Sequence, residues 1–191
     1  MSTGDSRANQ VTKPSSRELR LAVTLLCAVA VLATAACGSH ATSWRVRYDG
    51  RIGPLKIDAS TESDVRDFAG RPLKVEKVFS EAKKHPVGYE LDYRCGRSCV
   101  TSYAISYTTG KLSDFTTESP RFVSEHGSRV GMSAKRAAEA EGRRIIEACG
   151  EGHVIQLRSD EHHIFVLGVF AGRVSVIVYL GPHTTSYEGL C

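Results

Sequence analysis

Seven histidines, six cysteines and several closely spaced carboxylates are the residues of this chain whose types could do chemistry. His162-His163, with His153, His183 and Glu161, invite a metal reading, because imidazole and carboxylate suit a first-row ion. Adjacent residues on a strand point to opposite faces, however, so His162 is expected in a turn and His163 in a strand, with no shared ion. No H-E-x-x-H and no paired Cys/His spacing occurs. Gly127-Ser128-Arg129-Val130-Gly131 places its glycines at the wrong spacing for a nucleophile elbow and precedes a capped helix, so it reads as a turn. Asp58, Asp64 and Asp67 could be an acidic constellation, but Asp64 and Asp67 at i,i+3 fit a solvated first helical turn. The chain has no phosphate loop and no dinucleotide fingerprint. No catalytic residue, metal site or cofactor is therefore assigned.

The elements that would position these residues follow one grammar twice. Leu55 to Gly70 reads as a short strand, a Ser60 N-cap with an acidic first turn, and a helix with Val65, Phe68 and Ala69 on one face, stopped by Gly70. Ser128 to Gly150 repeats strand, Ser133 cap and helix. There Ala134, Ala138, Ile145 and Cys149 form a stripe, Glu139 and Arg143 are spaced to pair, and Gly142 is an interior glycine costing about 1 kcal/mol. Strand-rich sequence follows each helix: Leu73 to Phe79, Val87 to Cys95, Cys99 to Tyr107 and Lys111 to Thr117, then His153 to Arg158, His163 to Phe170 and Arg173 to Leu180. The turns Thr108-Thr109-Gly110 and Ala171-Gly172 correspond. The expected fold class is α+β, with two helix-plus-antiparallel-meander half-units, about 44–117 and 118–191, in one disulfide-stapled domain.

The N-terminus carries a different message. Arg7, Lys13, Arg17 and Arg20 precede about 16 uncharged residues, Leu21 to Ala36, the anatomy of a secretory signal. The small residues Ala35-Ala36 before Cys37 resemble a bacterial lipoprotein signal, although Thr34 stands where that family usually carries leucine. The resemblance implies a signal peptide over residues 1–36, lipid on Cys37, a tether over residues 37–43 and a domain over residues 44–191. Cleavage without lipidation and an uncleaved anchor are the alternatives. All three export the remainder.

The exported part, about 155 residues with a net charge near +2, is the size of one domain and argues against nucleic acid as a partner. The basic clusters Lys83-Lys84-His85 and Arg143-Arg144 are short and lack interleaved aromatics, so they read as solvated surface. Beyond Cys27 and Cys37, four cysteines remain, an even number that suits an oxidising compartment. They allow three pairings. Cys95 with Cys99 closes a tiny loop, and Cys149 with Cys191 pins the C-terminal tail, contributing about 3 to 4 kcal/mol on the chain-entropy model. The spacing of Cys95 and Cys99 is one residue too long for a thioredoxin-type pair.

Val130-Gly131-Met132-Ser133 with its helix, and Ile57-Asp58-Ala59-Ser60 with Val65 and Gly70, resemble the helix-plus-meander modules of outer-membrane-assembly lipoproteins. In doubled form the pattern is similar to the secreted β-lactamase inhibitor proteins. The closing Tyr187-Glu188-Gly189-Leu190-Cys191 also looks like uncharacterised bacterial lipoproteins. No inhibitory or assembly residue transfers by position. The expected function is a membrane-anchored, extracytoplasmic, non-enzymatic protein-binding or envelope-interaction module, held to the membrane through Cys37. Residues 80 to 86 and the Gly96-Arg97-Ser98 turn are its candidate contacts. The alternatives are a small-ligand or lipid-binding lipoprotein, with Tyr89, Tyr93, Tyr103 and Tyr107 lining the site, and an enzyme with no recognisable motif.

Overall fold

Alternation of apolar and polar side chains dominates the chain from Trp44 onward, and a computed structural model, describing residues 43–79, 85–148 and 152–182, resolves it into strands. In chain order these are β1 (Trp44–Val46), β2 (Arg51–Ile52), β3 (Leu55–Lys56), helix α1 (Glu62–Ala69), β4 (Lys74–Phe79), β5 (Pro86–Arg94), β6 (Val100–Ser106), β7 (Leu112–Thr117) and β8 (Phe122–Ser124). They continue with helix α2 (Ala134–Glu141), β9 (Ile145–Glu147), β10 (His153–Ser159), β11 (Ile164–Phe170) and β12 (Arg173–Leu180). The described residues all fall in the compact unit Thr42–Cys191.

Two sheets result. The larger has eight strands in the order β4-β5-β6-β7-β12-β11-β10-β9, and the smaller has four in the order β3-β2-β1-β8. The large sheet is antiparallel at each pairing, whereas β1 and β8 run parallel, with Trp44 opposite Phe122 and Val46 opposite Ser124. Period-two alternation gives the large sheet an inner face of Leu91, Tyr103, Phe115, Phe165, Leu167, Ile155, Ile177 and Tyr179, all buried. Val46, Ile52, Leu55, Ile57 and Phe122 join them, as do Val65 of α1 and Ala134, Ala137 and Ala138 of α2. The edges of Tyr93, Tyr103, Phe115 and Phe122 form a chain with centroid separations of 5.6, 5.3 and 5.1 Å, so one aromatic row runs from the large sheet into the small one.

The expected α+β class is corrected by this architecture, which is β-rich. Twelve described strands in two sheets stand against two helices of eight residues each. The small sheet crosses the expected half-unit boundary near residue 117, since β1 to β3 from one side share it with β8 from the other, while the large sheet divides there into β4–β7 and β9–β12. Apart from the short strand expected at Leu55, that small sheet escaped the sequence reading because its strands are only two or three residues long, too short to display a period.

Two local corrections have clear causes. The first helix is capped by Thr61 rather than Ser60: the Thr61 backbone N–H donates to Asp64 Oδ2 at 2.7 Å and the Asp64 N–H returns to Thr61 Oγ1, a capping box. Ser60 instead accepts from the Lys56 N–H at 3.0 Å. The second helix begins at the expected Ser133 cap but stops at Gly142, whose left-handed φ of 60° makes it a C-cap and not an interior glycine. Ile145 therefore pairs with Ile155 as part of β9 instead of extending a helical stripe. Arg143 donates to the Leu157 carbonyl at 3.2 Å rather than pairing with Glu139. The Ala171-Gly172 turn is found, with φ of 48° and 73°, the left-handed pair that a two-residue hairpin needs.

Candidate functional site

The last strand of the large sheet on one side, β4, presents the most unusual surface. It has β5 on one flank and no described strand on the other. Val75 lies opposite the fully buried Leu91, which puts it on the apolar inner face, yet Val75 is 51% exposed, and the flanking Leu73 and Phe79 are 61% and 58% exposed. The apolar face thus runs out past the core to an open edge. Lys74 and Lys77 are exposed along it, and Lys74 Nζ lies 2.6 Å from Glu76. Edge lysines are a common guard against self-pairing of such strands.

One of the two sequence-derived contact candidates is described beside this edge. Gly96-Arg97-Ser98 lies beyond the end of β5 that pairs with Lys74, and Cys95 and Cys99 close it as a disulfide with Cα atoms 5.1 Å apart. The Cys95 N–H donates to the Cys99 carbonyl at 3.0 Å, and Arg94 and Arg97 are exposed. At the opposite end of β4 the connection to β5 holds residues 80 to 84, which lie outside the described residues, as do Cys37, Cys149, Cys191 and His183.

The residues with potential chemistry gather elsewhere. His163 sits between two carboxylates, with Nε2 3.5 Å from Asp58 and Nδ1 3.6 Å from Asp160. Asp160 Oδ1 accepts the backbone N–H groups of His162 and His163 at 2.9 and 2.8 Å, while its Oδ2 meets Arg158 Nε at 2.5 Å. Arg158 also donates to Tyr179 Oη and to the Tyr48 carbonyl, which accepts from Tyr179 as well. The arrangement pins the β10–β11 turn to the segments after β1 and β3. Asp58 holds its place with a left-handed φ of 60°. His162 falls in the turn as expected, and His163 lies just before β11 rather than inside it.

These contacts are those of a brace. The His163 ring packs on Tyr179 at 5.8 Å, and His153 begins β10 at its opposite end, paired with Val169 and Glu147. Among the described residues no group of three His, Cys, Asp or Glu side chains is placed to hold a metal ion. The backbone N–H of His162 and the Arg158 guanidinium hold the Asp160 carboxyl well below the usual aspartate range. A depressed value means that its stabilisation is complete above the unfolded aspartate pKa near 4 and is lost as pH falls below it. An Asp160→Asn variant should therefore melt below the parent at pH 7, with the gap shrinking as pH drops from about 4 toward 2. A gap that stays constant in thermal melts across that range would remove Asp160 from this role.

The remaining candidates are structural. Ser128 is fully buried, its hydroxyl turned to the Ala137 carbonyl. Tyr93 and Tyr103 are core residues and Tyr89 packs on Tyr107 at 5.4 Å, so the tyrosines expected to line a ligand site form cross-strand packing. Tyr89 also donates to Glu62 of α1, and burial, then that hydrogen bond, push its hydroxyl up to about 12. Sequence reasoning missed the buried Glu141, which accepts from Tyr48 Oη at 2.7 Å and from Ser124 Oγ. The Arg143-Arg144 cluster, expected as solvated surface, lines an open groove of about 460 Å³ together with Arg158, Gln156 and Ser159. A second groove, about 650 Å³, lies between Trp44 and α1.

No protein-family model matches the chain, and no curated protein matches it. Among solved structures, an extracellular protein containing a SCP domain from Bacillus anthracis str. Ames is similar with a TM-score of 0.41 and 8% identity, over 63% of this chain and 43% of that one. The chain spans less than half the length of that protein, and a likeness this loose transfers neither fold nor role.

Proposed function

We propose that this protein is an exported, lipid-anchored, non-enzymatic binding module that takes an extended segment of an envelope protein against the open edge of β4. The observation that carries the reading is the apolar strip Leu73, Val75 and Phe79, exposed beside an edge with no described partner strand. An added strand would bury that strip and satisfy edge backbone groups at once, which is how strand addition combines affinity with side-chain selection. Lys74 is paired with Glu76, but Lys77, Arg94 and Arg97 are exposed around the edge, so the segment favoured is apolar in alternation and bears acidic residues. The Cys95–Cys99 disulfide agrees with an oxidising compartment, and the Ala35-Ala36-Cys37 box supplies the anchor.

The test has two parts. Intact mass from the native envelope is expected to show loss of residues 1–36 with diacylglycerol mass on Cys37. A photo-crosslinking amino acid at Val75 is expected to yield one discrete protein adduct, at least tenfold over the same probe at exposed Arg136 on α2, and Leu73→Lys should abolish it. Equal labelling at both positions in a folded protein would discard the β4 edge as the docking surface.

A further inference from the structure

The groove between Trp44 and α1 has a composition that the edge-binding reading does not use. Its apolar wall is Trp44, Pro54, Leu55 and Phe68, and its other wall carries the carboxylates of Asp64 and Asp67. At about 650 Å³ it is an open surface groove with room for a small organic group. We propose that this groove binds an organic ammonium group, carried either by a phospholipid headgroup or by a free small amine.

Several features hold the two walls in place. Trp44 and Phe68 meet edge to face at 4.8 Å and 82°, which fixes the indole relative to the helix. Gly53 lies flat against both rings; a Cβ there would come within 3.0 Å of the Trp44 ring and 3.4 Å of Phe68, and its φ of 58° already disfavours a side chain. The capping box spends Asp64 Oδ2 on the Thr61 N–H and hydroxyl at 2.7 and 2.8 Å, which orients the carboxylate. Asp67, one turn further along the same face, has no hydrogen bond or ion pair among the described residues. Asp64 is engaged by its cap, so Asp67 is the groove carboxylate left without a described partner.

Charge and shape together select the ligand class. Two carboxylates repel anions, and an aromatic and aliphatic wall favours a cation with methyl or methylene groups over a strongly hydrated metal ion. A quaternary or primary ammonium satisfies both, lying against the Trp44 ring by cation–π attraction with Asp67 as its counter-ion. This inference does not depend on the docking role of β4, which lies elsewhere on the chain, and either reading can fail without the other.

Trp44 is the sole tryptophan in the sequence, so its fluorescence reports on this groove alone. The full chain in a non-ionic detergent would be titrated with choline, with its neutral isostere 3,3-dimethylbutan-1-ol, and with glycerophosphocholine. Choline is expected to give a saturable change, the isostere to bind at least tenfold more weakly, and Asp67→Asn to weaken choline by about tenfold while leaving the melting temperature unchanged. Glycerophosphocholine, the zwitterionic diester that a lipid headgroup presents, distinguishes the sources: binding at least as tight as choline assigns a lipid headgroup, weaker binding a free amine, and both sustain an ammonium site. Equal binding of choline and its isostere, no saturable change with choline or glycerophosphocholine, or an Asp67→Asn variant that binds choline like the parent would overturn the proposal.

Discussion

Truncating Phe115 to alanine should cost about 3–5 kcal/mol, the largest effect expected of any single side chain here. Phe115 is fully buried in β7, at the centre of the large sheet, and it stacks on Tyr103 at 5.3 Å on one side and on Phe122 of the small sheet at 5.1 Å on the other. Its removal therefore opens a cavity where the two sheets meet and strips a partner from each neighbour. Urea denaturation followed by far-UV circular dichroism measures the loss. Phe170→Ala supplies the contrast, since that ring is 68% exposed, and it should change stability by less than about 0.5 kcal/mol. Comparable losses for the two variants would mean that the aromatic row does not join the sheets.

The second large effect is expected at Glu141. Its residue exposure is 6%, and its two oxygens accept from Ser124 Oγ in β8 and from Tyr48 Oη after β1. Glu141→Leu removes both acceptors and strands two hydroxyls, for a loss of about 3 kcal/mol, whereas Glu141→Gln keeps one acceptor and should lose about 1 kcal/mol. Denaturant midpoints of the two variants test the order; a leucine variant as stable as the parent would show that the hydroxyls find other partners. Burial first, then the hydrogen bond to Glu141, pushes the Tyr48 hydroxyl well above its ordinary value. A raised value contributes stability that is complete below the unfolded tyrosine pKa near 10 and is lost as pH climbs toward the folded one. Alkaline unfolding of the parent should accordingly begin above pH 10.

Where alternation extended over six or more residues, the sequence announced the structure within a residue or two. Arg173 to Leu180 is β12 as expected, and Lys111 to Thr117 contains β7. The error in fold class came from two places where local signals competed. Ala134 to Cys149 has helical spacing of small and apolar residues, but Gly142 interrupts it and the β-branched Ile145-Ile146 then pairs with β10. The small sheet depends on contacts between residues near 45 and near 123, and no window along the chain contains both.

The candidate sites were legible unevenly for the same reason. Cys95 and Cys99 lie close in sequence and form the expected disulfide. His163 could not be linked to Asp58 without knowing that the β10–β11 turn folds over the segment after β3. Glu141 resembles any solvated helix residue until Tyr48 and Ser124 are brought to it from distant segments. The exposed strip on β4 was hidden differently, because Val75 has the pattern of a core residue and only its place at the end of the strand order leaves it bare.

The seam between β7 and β12 has a kinetic consequence. Within each four-stranded stretch of the large sheet, neighbouring strands are also consecutive in the chain, so those hairpins close short loops. Thr117 and Ile177, opposed across the seam, are about 60 residues apart, and closing so long a loop is slow relative to zipping a hairpin. Hairpins formed early therefore wait on one distant encounter, and until it happens the facing edges of β7 and β12 stand unpaired. The chain's most vulnerable interval during folding is the lifetime of that unjoined sheet.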